Sequence, residues 1–308
     1  MNWTLENLKE IYDLNFNELI TKAQEMHRKH AYSEKMHLCS AKSIKTGRCP
    51  EDCAYCPQSV HYKTFVEPEA PMTKSEIVTA ARRAKSLGAE RFNIAAAWKR
   101  APKGAIFEEI LQSIPEIRSM GLQVCCGLGN VDAEQSAALK NAGCTRYSYN
   151  LDTSKEFYSK IITTRTYEER LNTLKSIQKA GLEICCGGIL GMGESLEDRL
   201  KLLLQLSQLD PLPEAVPINA LVRVKGTPLG ERPFVDSIEF VKFVATTRIA
   251  IPTTMIVLAA GRGEMSQEMQ ALCFLAGANS ILIDEKILTT DNPRFEDDKE
   301  MLGKLGML

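Results

Sequence analysis

The chain has no long hydrophobic run. No apolar stretch approaches the roughly eighteen residues that a membrane-crossing helix requires, and the N-terminal segment lacks a signal-peptide hydrophobic core. Dense runs of lysine or arginine are also missing, and the formal net charge is −1, so nothing offers the phosphate-neutralising surface of a nucleic-acid binder. Low-complexity tracts are absent, and no Pro-, Gly- or Ser-rich stretch is long enough to link two domains. These absences lead us to expect a cytoplasmic protein with neither membrane nor nucleic-acid partners.

Cysteine, by contrast, is plentiful, with ten in 308 residues. In a reducing compartment these are free thiols, available to metals rather than paired as disulfides. Three of them, Cys49, Cys53 and Cys56, stand in C-x3-C-x2-C spacing inside one loop. That spacing gives three thiolates to one centre and withholds a fourth. A closed structural zinc site wants four ligands, whereas an iron–sulfur cube with three protein ligands keeps one iron open for chemistry. On spacing alone, a zinc site made from the three cysteines and His61 remains the alternative.

A second pattern recurs along the chain: an amphipathic helix, a glycine at its end, then a short apolar strand. The glycines are Gly88, Gly121, Gly143, Gly181 and Gly277, and the strands after them fall near 91–95, 122–126, 145–149, 182–186 and 279–283. Glycine just past a helix accepts the left-handed cap that strains other residues. Strand candidates at 36–41, 214–219 and 254–259 bring the number to eight. Alternating strands and helices in that number predict an α/β fold, a TIM-type (β/α)8 barrel over 36–288. An N-terminal helical extension (1–35) carries Leu5, Leu8, Ile11 and Tyr12 on one face, for packing on the barrel floor, for capping, or for contact with a partner chain. Residues 289–308 form a tail. The cysteine loop follows the first strand, at the barrel end where active sites of this fold lie.

C-x3-C-x2-C with Tyr55 just before the last cysteine resembles the radical S-adenosylmethionine (SAM) superfamily. Longer strings narrow the likeness to the biotin synthase family: S-I-K-T-G-R-C-P-E-D-C at 43–53, N-L-D-T-S at 150–154, I-I-T-T-R-T-Y at 161–167, V-P-I-N at 216–219 and K-G-T-P-L at 225–229. They run in one order from about residue 30 to the C-terminus. The resemblance implies insertion of sulfur into two unactivated C–H positions of dethiobiotin, a step that no acid or base side chain can perform and that cofactors must carry. It implies a [4Fe–4S] cluster on Cys49, Cys53 and Cys56, SAM chelated at the open iron, an external low-potential electron donor, and a homodimer. For SAM it implicates Tyr55, Trp98, Asn150, Asp152 and Arg170, with backbone packing at Gly188 and Ile189. For dethiobiotin it implicates Lys45, Ser148, Asn150, Asn219, Thr289 and Thr290, asparagine being able to both donate to and accept from a cyclic urea. Plainer readings stand beside these: rim packing for Trp98, a solvated helix position for Arg170, and helix capping by Asp152, Thr153 or Ser154.

The family's second cluster is a [2Fe–2S] held by three cysteines and an arginine. Here the resemblance matches only Cys125 and Cys185 to that set; Asn93 and Val257 occupy the other two positions, and Arg262 matches a different family residue. Cys39, on the first strand, could replace the lost ligands. Three thiols on strands one, three and five would again describe a cubane with an open iron, an auxiliary cluster of the 4Fe type rather than [2Fe–2S]. Cys126 or Cys186 closing the site, or cysteines that merely pack, are the alternatives. Competing functions are another radical SAM enzyme, a homologue that cleaves SAM without inserting sulfur, and a zinc-stabilised binding barrel.

Overall fold

The computed structural model describes residues 3–30 and 35–308. Nine parallel strands form the main sheet: β1 (His37–Lys45), β2 (Arg91–Ala96), β3 (Gln123–Gly127), β4 (Arg146–Ser148), β5 (Glu183–Cys185), β6 (Gly188–Leu190), β7 (Ala215–Ala220), β8 (Met255–Leu258) and β9 (Ser280–Leu282). Their order is β5-β4-β3-β2-β1-β9-β8-β7-β6, and a further pairing of β5 with β7 closes the ring. β5 and β6 are two pieces of one stave interrupted at Cys186 and Gly187, so the barrel has the eight staves expected from sequence. The five helix-ending glycines all take left-handed φ, Gly143 at 104° for example.

The helices are α1 (Leu5–Tyr12), α2 (Phe16–His30), α3 (Lys74–Ser86), α4 (Ala105–Ser119), α5 (Ala133–Ala142), α6 (Lys155–Tyr158), α7 (Tyr167–Lys179), α8 (Leu196–Ser207), α9 (Ser237–Ala250), α10 (Gln267–Leu275) and α11 (Phe295–Lys304). α9 is buried nearly all round, from Phe240 to Ala250, and a helix without a polar face needs cover on both sides. The N-terminal extension supplies it. α1 packs on α8 and α9, α2 packs on α9, and Trp3 Nε1 donates to Ala250 O at 2.8 Å. The extension thus covers the flank of the helix ring rather than the barrel floor. At the other end the hairpin β10 (Lys286–Ile287) and β11 (Thr290–Asp291) leads into α11. Arg262 clamps that helix through a fully buried ion pair with Asp298 (2.9 Å from Nη1).

Strand residues alternate between the two faces of a barrel wall, and here the alternation determines the site. Cys39, Ala41, Ser43, Arg91, Asn93, Ala95, Cys125, Gly127, Arg146, Ser148, Cys185, Ala215, Pro217, Asn219, Val257 and Ala259 line the interior. Their neighbours Phe92, Ile94, Val124, Cys126, Tyr147, Ile184, Val216, Ile218, Ile256 and Leu258 pack outward in the main apolar core. Barrels of this kind usually fill the interior with layers of branched side chains. Small, thiol and polar side chains line it here, and a cavity of about 340 Å³ remains. Cys126 and Cys186 belong to the outer core, so closure of an interior site by either one is corrected: neighbours on a strand cannot both face inward.

Candidate functional site

The cysteine loop leaves β1 at the C-terminal rim of the barrel and is pinned at several points. Cys49 N donates to Gln58 O (2.8 Å), Val60 N to Cys49 O (2.9 Å) and Ala54 N to Ile161 O (2.9 Å). Asp52, between the first two cysteines, is the main clamp. Its carboxylate accepts from Thr163 N (2.9 Å), Thr164 N (3.1 Å), Thr164 Oγ1 (2.9 Å) and Thr163 Oγ1. Partial burial pushes the Asp52 carboxyl up, but these bonds outweigh it and bring it from 3.8 to about 2. Glu51 lies beside it, accepting from Thr164 Oγ1 (2.9 Å) and pairing with buried Arg165 (3.4 Å).

A carboxylate held low in the folded state stabilises the fold above its unfolded pKa of about 4. That stability is lost as pH falls through about 2. Asp52→Asn is therefore expected to flatten the stability of the metal-free protein between about pH 4 and pH 2. Urea titrations across that range check it; an unchanged pH slope would show that the clamp contributes nothing there.

The three thiols sense one another electrostatically, Cys53 with Cys56 and Cys56 with Cys49. Burial pushes the Cys56 thiol up to about 12 and raises Cys49 and Cys53 as well. Buried thiols of this kind need a metal to hold them as thiolates. Among the described residues no three Cys, His, Asp or Glu side chains gather as a single-ion site. His61, the candidate fourth zinc ligand, has its Nε2 3.2 Å from Pro50 O.

Behind the loop lies a buried polar cluster. Tyr55 donates to Asp152 Oδ2 (2.8 Å), and Arg170 pairs with the same oxygen (2.8 Å) while its Nε donates to Tyr158 OH (2.7 Å). Arg170 also donates to Asn150 O and sits over the rings of Tyr149 and Tyr158. It is therefore buried in the site, not solvated on its helix. Asp152 has φ 68°, a strained left-handed conformation for a non-glycine residue that persists only where the surroundings enforce it. Backbone bonds on both sides do so: Asp152 N donates to Gly187 O (3.1 Å) and Ile189 N to Asp152 O (2.9 Å). Only glycine fits opposite, since a Cβ on Gly188 would lie 2.6 Å from Asp152 O. Capping of α6 falls to Ser154, which accepts from Phe157 N at 3.0 Å, so capping does not account for Asp152.

Cys39, Cys125 and Cys185 line the same cavity from β1, β3 and β5. Burial raises all three thiols, and Arg91 and Arg146 pull each of them back down. Asn93 and Val257 are on the same walls, and Asn93 Oδ1 is buried without a partner. Three thiol donors, an unpartnered polar atom and a hollow interior fit an iron–sulfur group.

The remaining candidates divide. Ser148, Asn150 and Asn219 line the cavity. The Asn219 amide also stitches the rim, donating to Gly188 O (2.9 Å) and accepting from Ala260 N (3.0 Å). One N–H and one lone pair remain for a ligand. Asn150 Oδ1 accepts from Gly187 N (3.0 Å). Lys45, Trp98, Gly188, Ile189, Thr289 and Thr290 do not line this cavity. Lys45 Nζ donates to Ala97 O (2.9 Å) and Gly47 O, tying the cysteine loop to the end of β2. Trp98 packs partly buried against the apolar core. Thr289 borders a separate cleft of about 870 Å³ outside β1, and Thr290 Oγ1 donates to Ile287 O (3.2 Å) within its own hairpin. Sequence reasoning missed Asp52, Glu51, Arg165, Arg91 and Arg146. Strand parity could have found the two inward arginines, since Arg146 shares the parity of Ser148 and Arg91 that of Asn93.

A closed parallel barrel carrying a three-cysteine loop at its mouth is the architecture of a radical SAM enzyme. Residues 43–206 match the Radical SAM superfamily, and residues 217–308 match the Biotin and Thiamin Synthesis associated domain. The chain is 50% identical over 306 residues to a biotin synthase of Coxiella burnetii (strain RSA 493 / Nine Mile phase I), covering 99% of this chain and 95% of that one. It is likewise 50% identical over 307 residues to a biotin synthase of Francisella philomiragia, covering 99% and 97%. The chain belongs to the biotin synthase family, and with that its cofactors include SAM and a [4Fe–4S] cluster. Solved structures share the fold at low identity. Methylornithine synthase superposes with TM-score 0.81 at 17% identity, covering 99% of this chain and 93% of its own. The FeFe-hydrogenase maturase from Carboxydothermus hydrogenoformans does so at 0.82 and 16%, covering 100% and 76%. The zinc-stabilised barrel and a radical SAM enzyme of another kind find no support. Among the described residues no helix is long and apolar enough to cross a membrane.

Proposed function

We propose that this biotin synthase draws its sulfur from an auxiliary iron–sulfur group of the 4Fe type held by Cys39, Cys125 and Cys185. The observation that carries this reading is the hollow barrel: three thiols line one cavity together with Asp152 and Arg170. When bound, a [4Fe–4S] cluster with SAM supplies the one-electron chemistry that takes hydrogen from an unactivated C–H bond, and the auxiliary group supplies sulfur.

The chain's own residues position and shield. Cys49, Cys53 and Cys56 are the first cluster's ligands, on a loop bolted down by Asp52 and Tyr55. Both fixed contacts of Asp152 fall on Oδ2, which suits Oδ1 to a ribose hydroxyl of SAM, with Asn150 beside it. Arg170 pairs with that carboxylate in a buried setting, where an unpaired charge is costly. Gly188 and Ile189 offer backbone alongside SAM, and Trp98 lies further out on the rim. Dethiobiotin fills the upper cavity, its ureido ring against Ser148, Asn150 and Asn219. Its carboxylate reaches the hairpin with Thr289 and Thr290, with Lys45 on the same rim. A low-potential electron donor meets the exposed face of the loop. We further propose that the enzyme is a cytoplasmic homodimer.

The substrate half of this reading is tested by Asn219→Ala. The variant is expected to weaken dethiobiotin binding by about 1–3 kcal/mol, the cost of a stranded buried partner, while SAM binding stays intact. Because the same amide stitches the rim, thermal stability falls as well. Calorimetric titration with each ligand checks the reading; lowered stability with unchanged dethiobiotin affinity would confine Asn219 to the stitch.

A further inference from the structure

The charged residues that line the interior cavity are Arg91, Arg146, Asp152 and Arg170. The last two neutralise each other near the rim at 2.8 Å. The floor therefore carries two cations, and no carboxylate lines it. Arg91 is partly engaged, donating to Thr145 Oγ1 (3.1 Å) and Gln123 Oε1. Arg146 is less so. Its side chain is 2% exposed, and Nε and Nη2 make no hydrogen bond but face the carboxylates of Glu183 and Glu214 in long ion pairs. The carboxylates nearest to it, Glu183 and Glu214, are 3.4 and 3.5 Å away, and their side chains are 47% and 54% exposed. Water screens such outward carboxylates, and no carboxylate lines the cavity beside Arg91 and Arg146 to balance them from within. A buried cation paired only with exposed carboxylates is incompletely compensated, so the floor suits a negative charge on its cavity side.

We propose that Arg146, backed by Arg91, is the positioning counter-ion of the sulfur-bearing group held by Cys39, Cys125 and Cys185, and that the floor binds the anionic sulfide of that group. The inference rests on the auxiliary group proposed above. Thiolate-ligated iron–sulfur groups are anionic, and their potentials follow net charge and hydrogen bonds to sulfur. Register supports the placement: Arg146 pairs with Cys125 across β3 and β4, and Cys39 pairs with Arg91 across β1 and β2. Each guanidinium thus starts from a backbone position beside a ligand thiol, and both act on all three thiols. A fixed positive charge there favours the more reduced, more negative form of the group.

The test is a redox titration of the full-length protein, reconstituted anaerobically with iron and sulfide and followed by electron paramagnetic resonance. It is run in the otherwise unaltered chain and in the Cys53→Ala background, where the auxiliary group is the remaining cluster. Arg146→Met is expected to keep its iron, because the thiols remain. It is also expected to lower the auxiliary potential by at least a tenfold change in the oxidised-to-reduced ratio, about 59 mV for one electron. Arg146→Lys should restore most of the shift. Arg146→Gln gives a second neutral variant should the Met variant fold poorly. Glu183→Gln with Glu214→Gln separates a structural plug from a counter-ion: it should alter thermal stability without lowering the potential. An auxiliary potential unchanged in both neutral variants overturns the proposal alone. Absence of any second cluster in the unaltered chain overturns the auxiliary reading together with it.

Discussion

Replacing Cys53 with alanine is expected to abolish formation of both 5′-deoxyadenosine and biotin. The loop does not owe its shape to the thiol. Asp52 is clamped by Thr163 and Thr164, Tyr55 is tied to Asp152, and Ala54 N is bound to Ile161 O. The variant should therefore fold with its loop in place and lose only a cluster corner. With two thiolates left, an iron–sulfur cube has no stable seat. SAM then has no iron to chelate it and no electron to cleave it. Anaerobic incubation with SAM and a low-potential reductant, analysed for 5′-deoxyadenosine, reads the outcome. Retained 5′-deoxyadenosine would remove Cys53 from the ligand set.

Cys39→Ala should separate the two halves of the reaction. Cys39 is buried on β1, its thiol lies 3.5 Å from Ser280 Oγ, and it lines the cavity with Cys125 and Cys185. Removing it leaves the loop cluster untouched but deprives the auxiliary group of a ligand. The expected result is loss of roughly half the iron, continued cleavage of SAM, and no biotin. Normal iron with normal biotin yield would show that Cys39 merely packs, the usual fate of a buried free cysteine.

Much of this was legible in the sequence because it rests on local signals. Five of the eight staves announced themselves through glycines that end helices, and the candidate site of the first cluster is a contiguous loop. Stave lengths were less legible. β1 runs on to Lys45 with a break in its register against β2 between Ser43 and Lys45, and the polar Lys42, Ser43 and Lys45 hide the extension. β4 and β5 keep only three residues each, since Tyr149 and Asn150 turn to the site and Cys186 and Gly187 interrupt the stave. The Asp52 clamp was invisible because its partners lie 111 and 112 residues away. The string I-I-T-T-R-T-Y that carried the family resemblance is explained by that clamp. Thr163 and Thr164 hold Asp52, Arg165 holds Glu51, and Thr166 accepts from Glu169 N (3.2 Å) to cap α7. The vicinal cysteines were legible in two parts: parity says that one of each pair faces inward, the resemblance singles out Cys125 and Cys185, and these two line the cavity.

The central claim is that this chain inserts sulfur into dethiobiotin although Asn93 and Val257 stand in the cavity wall. The most direct measurement supplies anaerobically reconstituted protein with dethiobiotin, SAM and a low-potential reductant, and quantifies biotin and 5′-deoxyadenosine together. Biotin is expected, with one 5′-deoxyadenosine for each of its two new C–S bonds. Abundant 5′-deoxyadenosine without biotin, from protein carrying its full iron and sulfide, would contradict the account.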